Sequence, residues 1–509
     1  MIEKIKGNGW PLVRFIIPAF PEINIFTRQA KRTTALGPIM VATAANKLWR
    51  WRVEIIDENN YRGPRNSQGL PDHLTLQREN PAAVVGFYCG LTSTIERVWE
   101  LAEFYHREVV TIAGGWHAHY CPEETLKKNI DLVVHGDGET VIQQILNALK
   151  EGKPLEDIPG ISFLKNGQVK TNLPEMLETP DLNDLPYPDF GLLKHAKIKL
   201  YPIGRIRGCS MNCEFCSVRG KPRWAHARHL FSQVKWLIET RRARHFFIVD
   251  DRLEEDLDGT FEFFRMISGK YGSRLIFTVQ IRLETAKNTE LLEVMKKAGV
   301  RVVCIGFESP IDEELRAMHK GYLSSHMLEW VKVLRRYFWI HAMFIVGYPL
   351  KERINSISAR EIVGRFGKFI RQASPDTIQI VLPVPFVGTS LRQRLEKEER
   401  VFPLELVPWG KYDASYPCFK PDNMTLRELQ EIPMKLMSKF YNPLSFFRIP
   451  LKTISFPMDY LIRGWRNWHR DWYRDVMKYG GHLLIQRWRR KQKGNKFIER
   501  LEKYQQEHN

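Results

Sequence analysis

The chain has 509 residues, which at about 100–200 residues per domain is enough for two to four domains. A hydrophobic fraction of 43% and a charged fraction of 27% are typical of a globular protein and exclude a fibrous or fully disordered one. The excess of 77 Lys and Arg over 58 Asp and Glu gives a net charge of +19, which favours a negatively charged partner: nucleic acid, anionic lipid, or a phosphate-bearing ligand.

The N-terminal apolar run is short, is interrupted by Pro18 and lacks the layout of a signal peptide. No apolar stretch approaches the ~20 residues that a membrane-spanning helix needs. Seven cysteines are too few for a disulfide scaffold, and three of them lie within residues 209–216, which favours metal ligation in a reducing compartment. We therefore expect a cytoplasmic protein, with peripheral attachment to the inner face of the membrane left open.

Residues 1–150 alternate between strand-like and helix-like segments. The strand-like runs are rich in Val and Ile and are apolar on both faces, as in a parallel sheet covered by helices. They read LVRFIIPAF, RVEIIDE, AAVVGFYC, VVTIAGG and DLVVHGD. This alternation predicts a doubly wound, flavodoxin-like α/β domain, which would bind a ligand at the carboxyl ends of its strands.

Two glycine-containing turns follow strands of this domain. Gly114 and Gly115 would let the backbone approach a bulky or phosphorylated ligand. Gly136, Gly138 and Glu139 form a second tight turn, which leads into a helix whose N-terminus favours anions.

Residues 151–200 are predicted to be a connector. ISFLKNGQVK has the pattern of a hairpin that turns at Asn166 and Gly167. The following LETPDLNDLPYPDF is rich in Pro and Asp and should lack regular structure.

Residues 201–390 contain a second βα series, with six strand candidates: YPIGRIRG, HFFIVDD, LIFTVQIR, VVCIGFES, HAMFIVGYP and TIQIVLPVPF. Six βα units predict a partial (β/α)6 barrel, with its chemistry at the carboxyl ends of the strands. Polar residues cluster at those ends: Asp250, Asp251, Gln280, Arg282, Glu308 and Ser309.

Residues 391–509 are predicted to be helical and basic. From residue 451 onward there are six Lys and eight Arg against three Asp and three Glu. Aromatic residues are interleaved with them: Trp465, Trp468, Trp472, Tyr473 and Trp488. Three interpretations remain open, namely a basic surface helix packed through its aromatic residues, an amphipathic helix on an anionic membrane, and a stacking surface for nucleobases. Of the last two, membrane contact is favoured over nucleic acid, by analogy alone with proteins that act on greasy substrates.

The chemistry-bearing motif is RGCSMNCEFCS, which spaces Cys209, Cys213 and Cys216 as C-x3-C-x2-C. Thiolates are the usual ligands of iron–sulfur clusters, and close spacing on one loop lets three sulfurs face one cluster. No fourth cysteine is nearby, so one iron of a four-iron cluster would stay open to a substrate. A zinc site completed by His226 and His229 is the alternative.

This spacing, with Phe215 just before the third cysteine, resembles the radical S-adenosylmethionine (SAM) superfamily. The resemblance implies a 4Fe-4S cluster on the three cysteines, whose open iron chelates the amine and carboxylate of SAM. One electron then cleaves SAM to a 5′-deoxyadenosyl radical. Phe215 would pack near the adenine.

The resemblance extends to other strand ends. Asp250 and Asp251 occupy the place of the family's polar motif for the methionine amine, although the usual Gly-Gly-Glu is absent. Glu308 resembles the ribose-contacting residue, and Gln280 and Arg282 would meet SAM or substrate. For each of the five, the alternative is a polar residue that caps a strand or forms an ion pair.

The N-terminal domain ahead of such a barrel resembles the cobalamin-dependent members of the superfamily, through VGFYCGLTS, TIAGGWHAHYCPEETL and DLVVHGDGETVIQQIL. In the family these loops surround the corrin and its nucleotide tail. The implied cobalamin-binding residues are Gly90, Gly114, Gly115, His117, Gly136, Gly138 and Glu139. The Asp-x-His-x-x-Gly motif is replaced by DENNYRG, which leaves the lower cobalt face without that histidine. A degenerate domain that no longer binds cobalamin is the alternative.

The resulting functional prediction is a cobalamin-dependent radical SAM enzyme that methylates carbon. It would act on a small-molecule or lipid-like substrate and use an external electron donor of the flavodoxin or ferredoxin type. A non-methylating cyclase or ring-forming enzyme on a tetrapyrrole or lipid is the close alternative. A transfer-RNA methylthiotransferase would need more N-terminal cysteines than Cys89 and Cys121. A non-enzymatic electron-transfer or binding protein would need a fourth cluster ligand.

Overall fold

The computed structural model describes most of the chain. The described residues are 10–21, 30–172, 179–218, 220–352, 357–492 and 496–507. They group into two compact units, and each is described below by itself. The first unit contains residues 1–210, 217–277 and 386–388, and the second contains residues 211–216, 278–385 and 389–509. The predicted domain boundaries near residues 150, 200 and 390 remain predictions.

The first unit contains a seven-stranded sheet. Its strands are β1 (Leu12–Ile17), β2 (Arg52–Asp57), β3 (Ala82–Tyr88), β4 (Val110–Gly114), β5 (Leu132–Val134), β6 (Ile161–Lys165) and β7 (Gln168–Thr171). The first five are parallel and lie in the order β2-β1-β3-β4-β5. This is the flavodoxin-like order, so the predicted doubly wound architecture is confirmed.

Helices cover this sheet, and two of them begin at glycines of the sequence motifs, Gly115 and Gly138. Those of the domain are Leu36–Ala45, His73–Glu79, Ile95–Tyr105, Trp116–Tyr120, Pro122–Leu126 and Gly138–Glu151. Helix Gly138–Glu151 ends at Gly152, whose φ of 66° is the left-handed conformation that glycine adopts most easily. At its other end, a Cβ on Gly138 would lie 3.0 Å from Val41, so this helix packs closely on helix Leu36–Ala45.

The connector contains the predicted hairpin. Strands β6 and β7 are antiparallel, and Asn166 and Gly167 between them both have positive φ, as a type I′ turn requires. Strand β6 also pairs antiparallel with β5, with Ser162 opposite Val133. The hairpin therefore extends the first sheet from five strands to seven, which the sequence did not indicate.

Eight further strands follow in the chain. They are β8 (Tyr201–Ile203), β9 (Ile206–Arg207), β10 (Arg223–Trp224), β11 (His245–Ile248), β12 (Ile276–Ile281), β13 (Val300–Glu308), β14 (Trp339–Ile345) and β15 (Thr377–Val381). In the first unit, β8 and β11 are parallel neighbours, and β9 and β10 form a short antiparallel ladder. In the second unit, β13, β14 and β15 are parallel in sequence order. The single strand predicted over YPIGRIRG is wrong in detail, because a break at residues 204–205 divides it into β8 and β9.

Helices alternate with these strands, as the predicted partial barrel requires. They are Ala227–Arg241, Leu257–Tyr271, Thr289–Lys297, Asp312–Ala317, Ser324–Arg335, Ala359–Ala373 and Ser390–Lys397. Helix Ala359–Ala373 shows why they form. The Ser358 side chain caps its N-terminus by accepting from the Glu361 amide, and Phe366 and Phe369 lie on its buried face.

The C-terminal region is helical, as predicted. Its helices are Leu426–Phe440, Leu444–Ile454, Phe456–Gln492 and Phe497–Glu507. Helix Phe456–Gln492 is interrupted at Gly464, whose φ of 74° is not helical. Within the described residues, no helix has the length and apolar character needed to cross a membrane.

Candidate functional site

A cavity of about 400 Å³ lies at the carboxyl edge of the first sheet, entirely within the first unit. The strand order β2-β1-β3-β4-β5 reverses its direction between β1 and β3. These two strands contribute Ile16 and Tyr88 to the wall of the cavity. This is the topological switch point at which doubly wound sheets bind ligands. The opposite wall comes from residues 204–207 and 249–251, which follow β8 and β11. The cavity size is in the range of small-molecule sites.

The structure brings five of the seven predicted cobalamin-binding residues to this cavity. They are Gly114, Gly115, Gly136, Gly138 and Glu139. Gly90 and His117 are not among the described residues that line it. Both lie close to the lining residue Gly115: a Cβ added to Gly115 would lie 2.7 Å from the nitrogen of Gly90, and the amide of His117, two residues further along, donates to the carbonyl of Cys89 at 2.9 Å.

Gly115 forms the tightest part of the glycine-rich wall. Its φ of 121° is a conformation that residues with a side chain rarely adopt, and an added Cβ would lie 2.7 Å from the backbone nitrogen of Gly90. Only glycine fits here. The turn therefore presents bare backbone to the cavity, which suits a bulky ligand that must approach closely.

His117 and His119, which follow Gly115 in the motif TIAGGWHAHYCPEETL, both contact other side chains of the protein. His117 is fully buried, with Nε2 3.6 Å from a carboxylate oxygen of Glu124. His119 Nδ1 lies 3.0 Å from His135 Nδ1, and His135 Nε2 lies 2.7 Å from the Ser162 hydroxyl. Burial lowers the pKa of His135 to about 4 and also lowers the pKa of His119, which disfavours the charged form of both rings.

The charged part of the cavity wall is an arginine–carboxylate cluster. Arg207 donates to Glu139 at 2.6 Å and to Asp137 at 2.9 Å, and Arg223 donates to Asp137 at 2.6 Å. Burial disfavours the charged form of Arg207, but the two carboxylates raise its pKa above the ordinary value. Neither arginine was predictable from the sequence, because their partners lie about seventy residues or more away in the chain.

Asp250 and Asp251 hold the chain that leads to Cys209. Asp250 Oδ1 accepts from the amides of Arg205 at 2.6 Å and Ile206 at 3.0 Å, and Asp251 accepts from the amide of Gly208 at 2.7 Å. Both aspartates therefore have a structural role as caps of the backbone, which was the alternative to SAM binding.

A second oxygen of Asp250 remains available for a ligand. Its Oδ2 is buried, lies in a residue that lines the cavity, and has no hydrogen-bond partner among the described residues. Burial raises the pKa of Asp250 to about 6. An unpartnered buried carboxylate oxygen is costly unless a donor reaches it, so this atom fits an ammonium or N–H donor of a bound cofactor.

In the second unit, the turn between Cys213 and Cys216 is clamped by Glu214. Its carboxylate accepts from Arg394 at 2.7 Å and from the Tyr348 hydroxyl at 2.7 Å. Phe215 makes an edge-to-face contact with the ring of Tyr348, at 6.3 Å between centroids. The sequence analysis missed Glu214 and its partners because they are 134 and 180 positions apart in the chain.

Two of the other predicted SAM-binding residues meet near Cys213 in the second unit. Glu308 has a left-handed backbone with φ of 59°, and its carboxylate lies 3.1 Å from Lys320 Nζ. Arg282 donates to the backbone carbonyl of Lys320 at 2.9 Å. Gln280 is exposed at the end of β12.

Two cations, Lys320 and Arg282, lie near Cys213. Burial opposes the charged form of Lys320, but the Glu308 carboxylate and, to a smaller extent, Cys213 raise its pKa above the ordinary value. Burial also opposes the charged form of Arg282, whose pKa is raised by Glu284 and, to a smaller extent, by Cys213. Thiolates are the usual ligands of iron–sulfur clusters, so three cysteines on one loop fit such a cluster by their chemistry.

Comparisons with known proteins agree with this arrangement. The model of the radical SAM superfamily matches residues 203–355, and the model of the B12 binding domain matches residues 30–146. A protein named as an uncharacterized methyltransferase of Pyrococcus horikoshii is 27% identical, over 69% of this chain and 78% of its own length. The anaerobic magnesium-protoporphyrin IX monomethyl ester cyclase of Rubrivivax gelatinosus is 24% identical, over 70% of this chain and 64% of its own length.

Among solved structures, the radical SAM methyltransferase TsrM of Kitasatospora setae, with cobalamin and a [4Fe-4S] cluster bound, has a TM-score of 0.61. Its identity to this chain is 16%, and the match covers 76% of this chain and 78% of that one. At this identity the likeness concerns the fold, which supports the predicted order of an N-terminal doubly wound domain and a following barrel. Residues 203–355 thus contain a domain of the radical S-adenosylmethionine superfamily, and residues 30–146 contain a B12-binding domain.

Proposed function

We propose that the protein is a cobalamin-dependent radical SAM enzyme that transfers a methyl group to an unactivated carbon. The observation that carries this proposal is the composition of the cavity wall. One side is the glycine-rich edge of the B12-binding domain, and the other is the segment that runs into Cys209 together with Asp250 and Asp251. A cavity that both cofactor-binding elements line suits chemistry that uses both cofactors.

Each predicted residue has a role in this proposal. Cys209, Cys213 and Cys216 hold the cluster, and Phe215 packs on the adenine of SAM. Asp250 accepts the ammonium of SAM through its second oxygen, while Asp251 keeps the cysteine loop in place. When bound, the cluster supplies the electron that cleaves SAM, and cobalamin carries the methyl group.

The remaining residues complete the binding of both cofactors. Glu308, oriented by Lys320, accepts from the ribose hydroxyls of SAM. Arg282 and Gln280 contact SAM or the substrate. Gly114, Gly115, Gly136 and Gly138 admit the corrin, and Glu139 keeps Arg207 at the edge of the cavity. Gly90 and His117 act from behind this wall, by supporting the turn at Gly115.

The first test measures the iron and cobalt content, and the reaction products, of protein that is purified anaerobically with cobalamin supplied. We expect about four irons and one cobalt per chain, from visible spectroscopy and metal analysis. With reductant and substrate, methyl transfer produces both 5′-deoxyadenosine and S-adenosylhomocysteine. Formation of 5′-deoxyadenosine without S-adenosylhomocysteine, at full substrate conversion, would exclude methylation and leave SAM cleavage intact.

A Cys213→Ala variant separates the two cofactors. We expect it to lose most of its iron while it retains cobalt, because Cys213 is a cluster ligand in the second unit and lies outside the cavity wall. The matched control is Cys418→Ala, since Cys418 is also buried and burial raises the pKa of its thiol above the ordinary value. Equal loss of iron from both variants would contradict the proposed ligand set.

A cyclase or ring-forming activity on a tetrapyrrole or lipid is the second candidate. The relative named as a protoporphyrin ester cyclase favours it, although this chain spans only 64% of that protein's length. Both candidates need an external one-electron donor of the flavodoxin or ferredoxin type and a small-molecule or lipid-like substrate. We also propose that the protein is cytoplasmic and contacts the inner face of the membrane through its C-terminal region.

A further inference from the structure

The C-terminal region of the second unit contains an unusual concentration of exposed apolar side chains. Helices Leu444–Ile454 and Phe456–Gln492 follow each other with one residue between them and pack together. We call residues 444–465 the hairpin tip. Eight of its apolar side chains are each more than half exposed: Leu444, Phe447, Leu451, Ile454, Met458, Leu461, Ile462 and Trp465.

This exposure does not come from a loosely packed hairpin. Trp468 donates its indole N–H to the carbonyl of Lys452 at 2.7 Å, and Trp472 donates to the Thr453 hydroxyl at 3.0 Å. Lys452 Nζ lies 2.5 Å from the Asp475 carboxylate. These bonds join the two helices, so the polar and aromatic groups of the inner face are used internally and the apolar groups face outward.

The base of the hairpin is attached to the barrel in the same unit. Arg470 and Arg474 both donate to Asp376, at 2.7 Å and 3.0 Å, and Asp376 also accepts from the amide of Ile340 in β14. Tyr473 packs on Trp339 with 4.8 Å between ring centroids. The exposed tip is therefore carried on an anchored support.

The sign of the charge beside the tip identifies the kind of partner. Residues 444–466 contain four basic residues, Arg448, Lys452, Arg463 and Arg466, against the acidic residue Asp459. Asp475 lies 2.5 Å from Lys452 and 3.9 Å from Arg448, so the segment taken together with Asp475 has an excess of two positive charges. Basic residues flanking a cluster of Leu, Ile, Phe and Trp are the composition of helices that lie in the interface of an anionic bilayer. A nucleic acid would instead need free aromatic faces with few aliphatic side chains, whereas Trp468 and Trp472 are tied into the hairpin.

We propose that the hairpin tip inserts its apolar side chains into the headgroup region of a membrane that contains anionic lipid. Contact with water is unfavourable by about 25 cal/mol per Å² of apolar surface, so a cluster of this kind is expected where a partner covers it. The tip lies on the membrane and does not cross it, in line with the lack of a spanning helix among the described residues. This inference rests on the membrane contact proposed above, for which it names the surface and the lipid, and it is independent of the proposed chemistry.

Vesicle flotation with full-length, anaerobically purified protein tests the inference. The vesicles are phosphatidylcholine alone, or phosphatidylcholine and phosphatidylglycerol in equal parts. We expect the protein to float with the anionic vesicles, to bind the neutral ones more weakly, and to be released as salt is raised. A Leu461→Glu/Ile462→Glu variant should partition at least about tenfold more weakly, since both side chains are at least three-quarters exposed and their loss leaves the fold intact.

The matched control is Leu74→Glu/Leu164→Glu, which changes two exposed leucines of the first unit and should leave partitioning unchanged. Equal flotation of the wild type and the tip variant would overturn the proposal. So would sedimentation velocity without lipid that shows a wild-type dimer and a monomeric tip variant, because the tip would then bind a second copy. Lipid-free SAM cleavage should be the same in all three proteins, which separates this test from that of the proposed chemistry.

Discussion

Arg207 donates to Glu139 at 2.6 Å, and this contact joins the residue two positions before Cys209 to the first turn of helix Gly138–Glu151. The Glu139 side chain is only 5% exposed, so the arginine lies beside a buried carboxylate. Within the first unit, one arginine thus connects the glycine-rich side of the cavity with the strand that leads into the cysteine motif.

An Arg207→Gln variant tests how much this ion pair contributes to stability and to cobalamin binding. It would leave the Glu139 carboxylate buried without its cation, and we expect the free energy of unfolding to fall by about 2 kcal/mol, the range for hydrogen bonds to charged groups. Cobalt bound per chain should fall as well. Urea denaturation and metal analysis measure the two effects. Arg228→Gln is the control, because Arg228 is 84% exposed and 3.8 Å from Glu262, and equal losses in both variants would contradict the prediction.

Gly115→Ala should deform the cavity wall. The new Cβ would meet the backbone of Gly90 in a conformation that alanine rarely adopts, so we expect a loss of more than about 1 kcal/mol and weaker retention of cobalamin. Thermal unfolding and spectroscopic titration with cobalamin give both quantities. Gly269→Ala, in an open position of helix Leu257–Tyr271, should be neutral or stabilising by up to about 1 kcal/mol. A Gly115→Ala protein as stable as wild type would disprove the strain argument.

Lys320→Met should leave the Glu308 carboxylate without its buried cation. Removal of one partner from a buried ion pair costs about 3–5 kcal/mol, so we expect a clear loss of stability and of SAM affinity. Chemical denaturation and equilibrium dialysis with SAM measure these losses. Lys320→Arg keeps the charge and should restore most of the stability. If the Met variant bound SAM as tightly as the wild type, the role of Glu308 in binding the ribose would be untenable.

Glu314 should make the second unit less stable as pH rises. Burial raises its pKa from 4.5 to about 8, against hydrogen bonds from Ser309 and the amide of Tyr348 that favour the carboxylate. Between these two pH values the folded state keeps a proton that the unfolded state releases, so stability decreases with pH by up to about 1.4 kcal/mol per unit. Glu314→Gln should flatten this slope. Unfolding followed at pH 5, 6, 7 and 8 would refute the prediction if the two slopes matched.

Much of the fold and of the candidate site could be predicted because the signals were local in the sequence. The three cysteines lie within eight residues, so a metal-binding motif could be recognised without knowledge of distant contacts. The two family models match the regions that contain the motifs. The βα alternation likewise predicted the doubly wound sheet, because buried parallel strands have an apolar pattern on both faces. Gly114 and Gly115 were recognisable because a backbone that must approach a ligand excludes side chains.

Contacts between distant residues were not predictable in the same way. The ion pair of Arg207 with Glu139 spans 68 positions and that of Glu214 with Arg394 spans 180, and neither partner differs in type from many surface residues. The hairpin at Asn166 and Gly167 was evident from its turn, but its pairing with β5 was not, since a turn signal says nothing about the neighbouring strand. Tertiary packing decided these features.

Side-chain carboxylates fix the backbone of the segment that leads into the cysteine loop. Asp250, Asp251 and Glu255 accept from the backbone amides of residues 205, 206, 208 and 210, so four of the six amides from Arg205 to Ser210 are tied down by side-chain carboxylates. The protein itself thus supplies the order of this segment. A cluster held by Cys209, as proposed above, would therefore bind to a segment that is already ordered, and loading iron should change the conformation of this segment little.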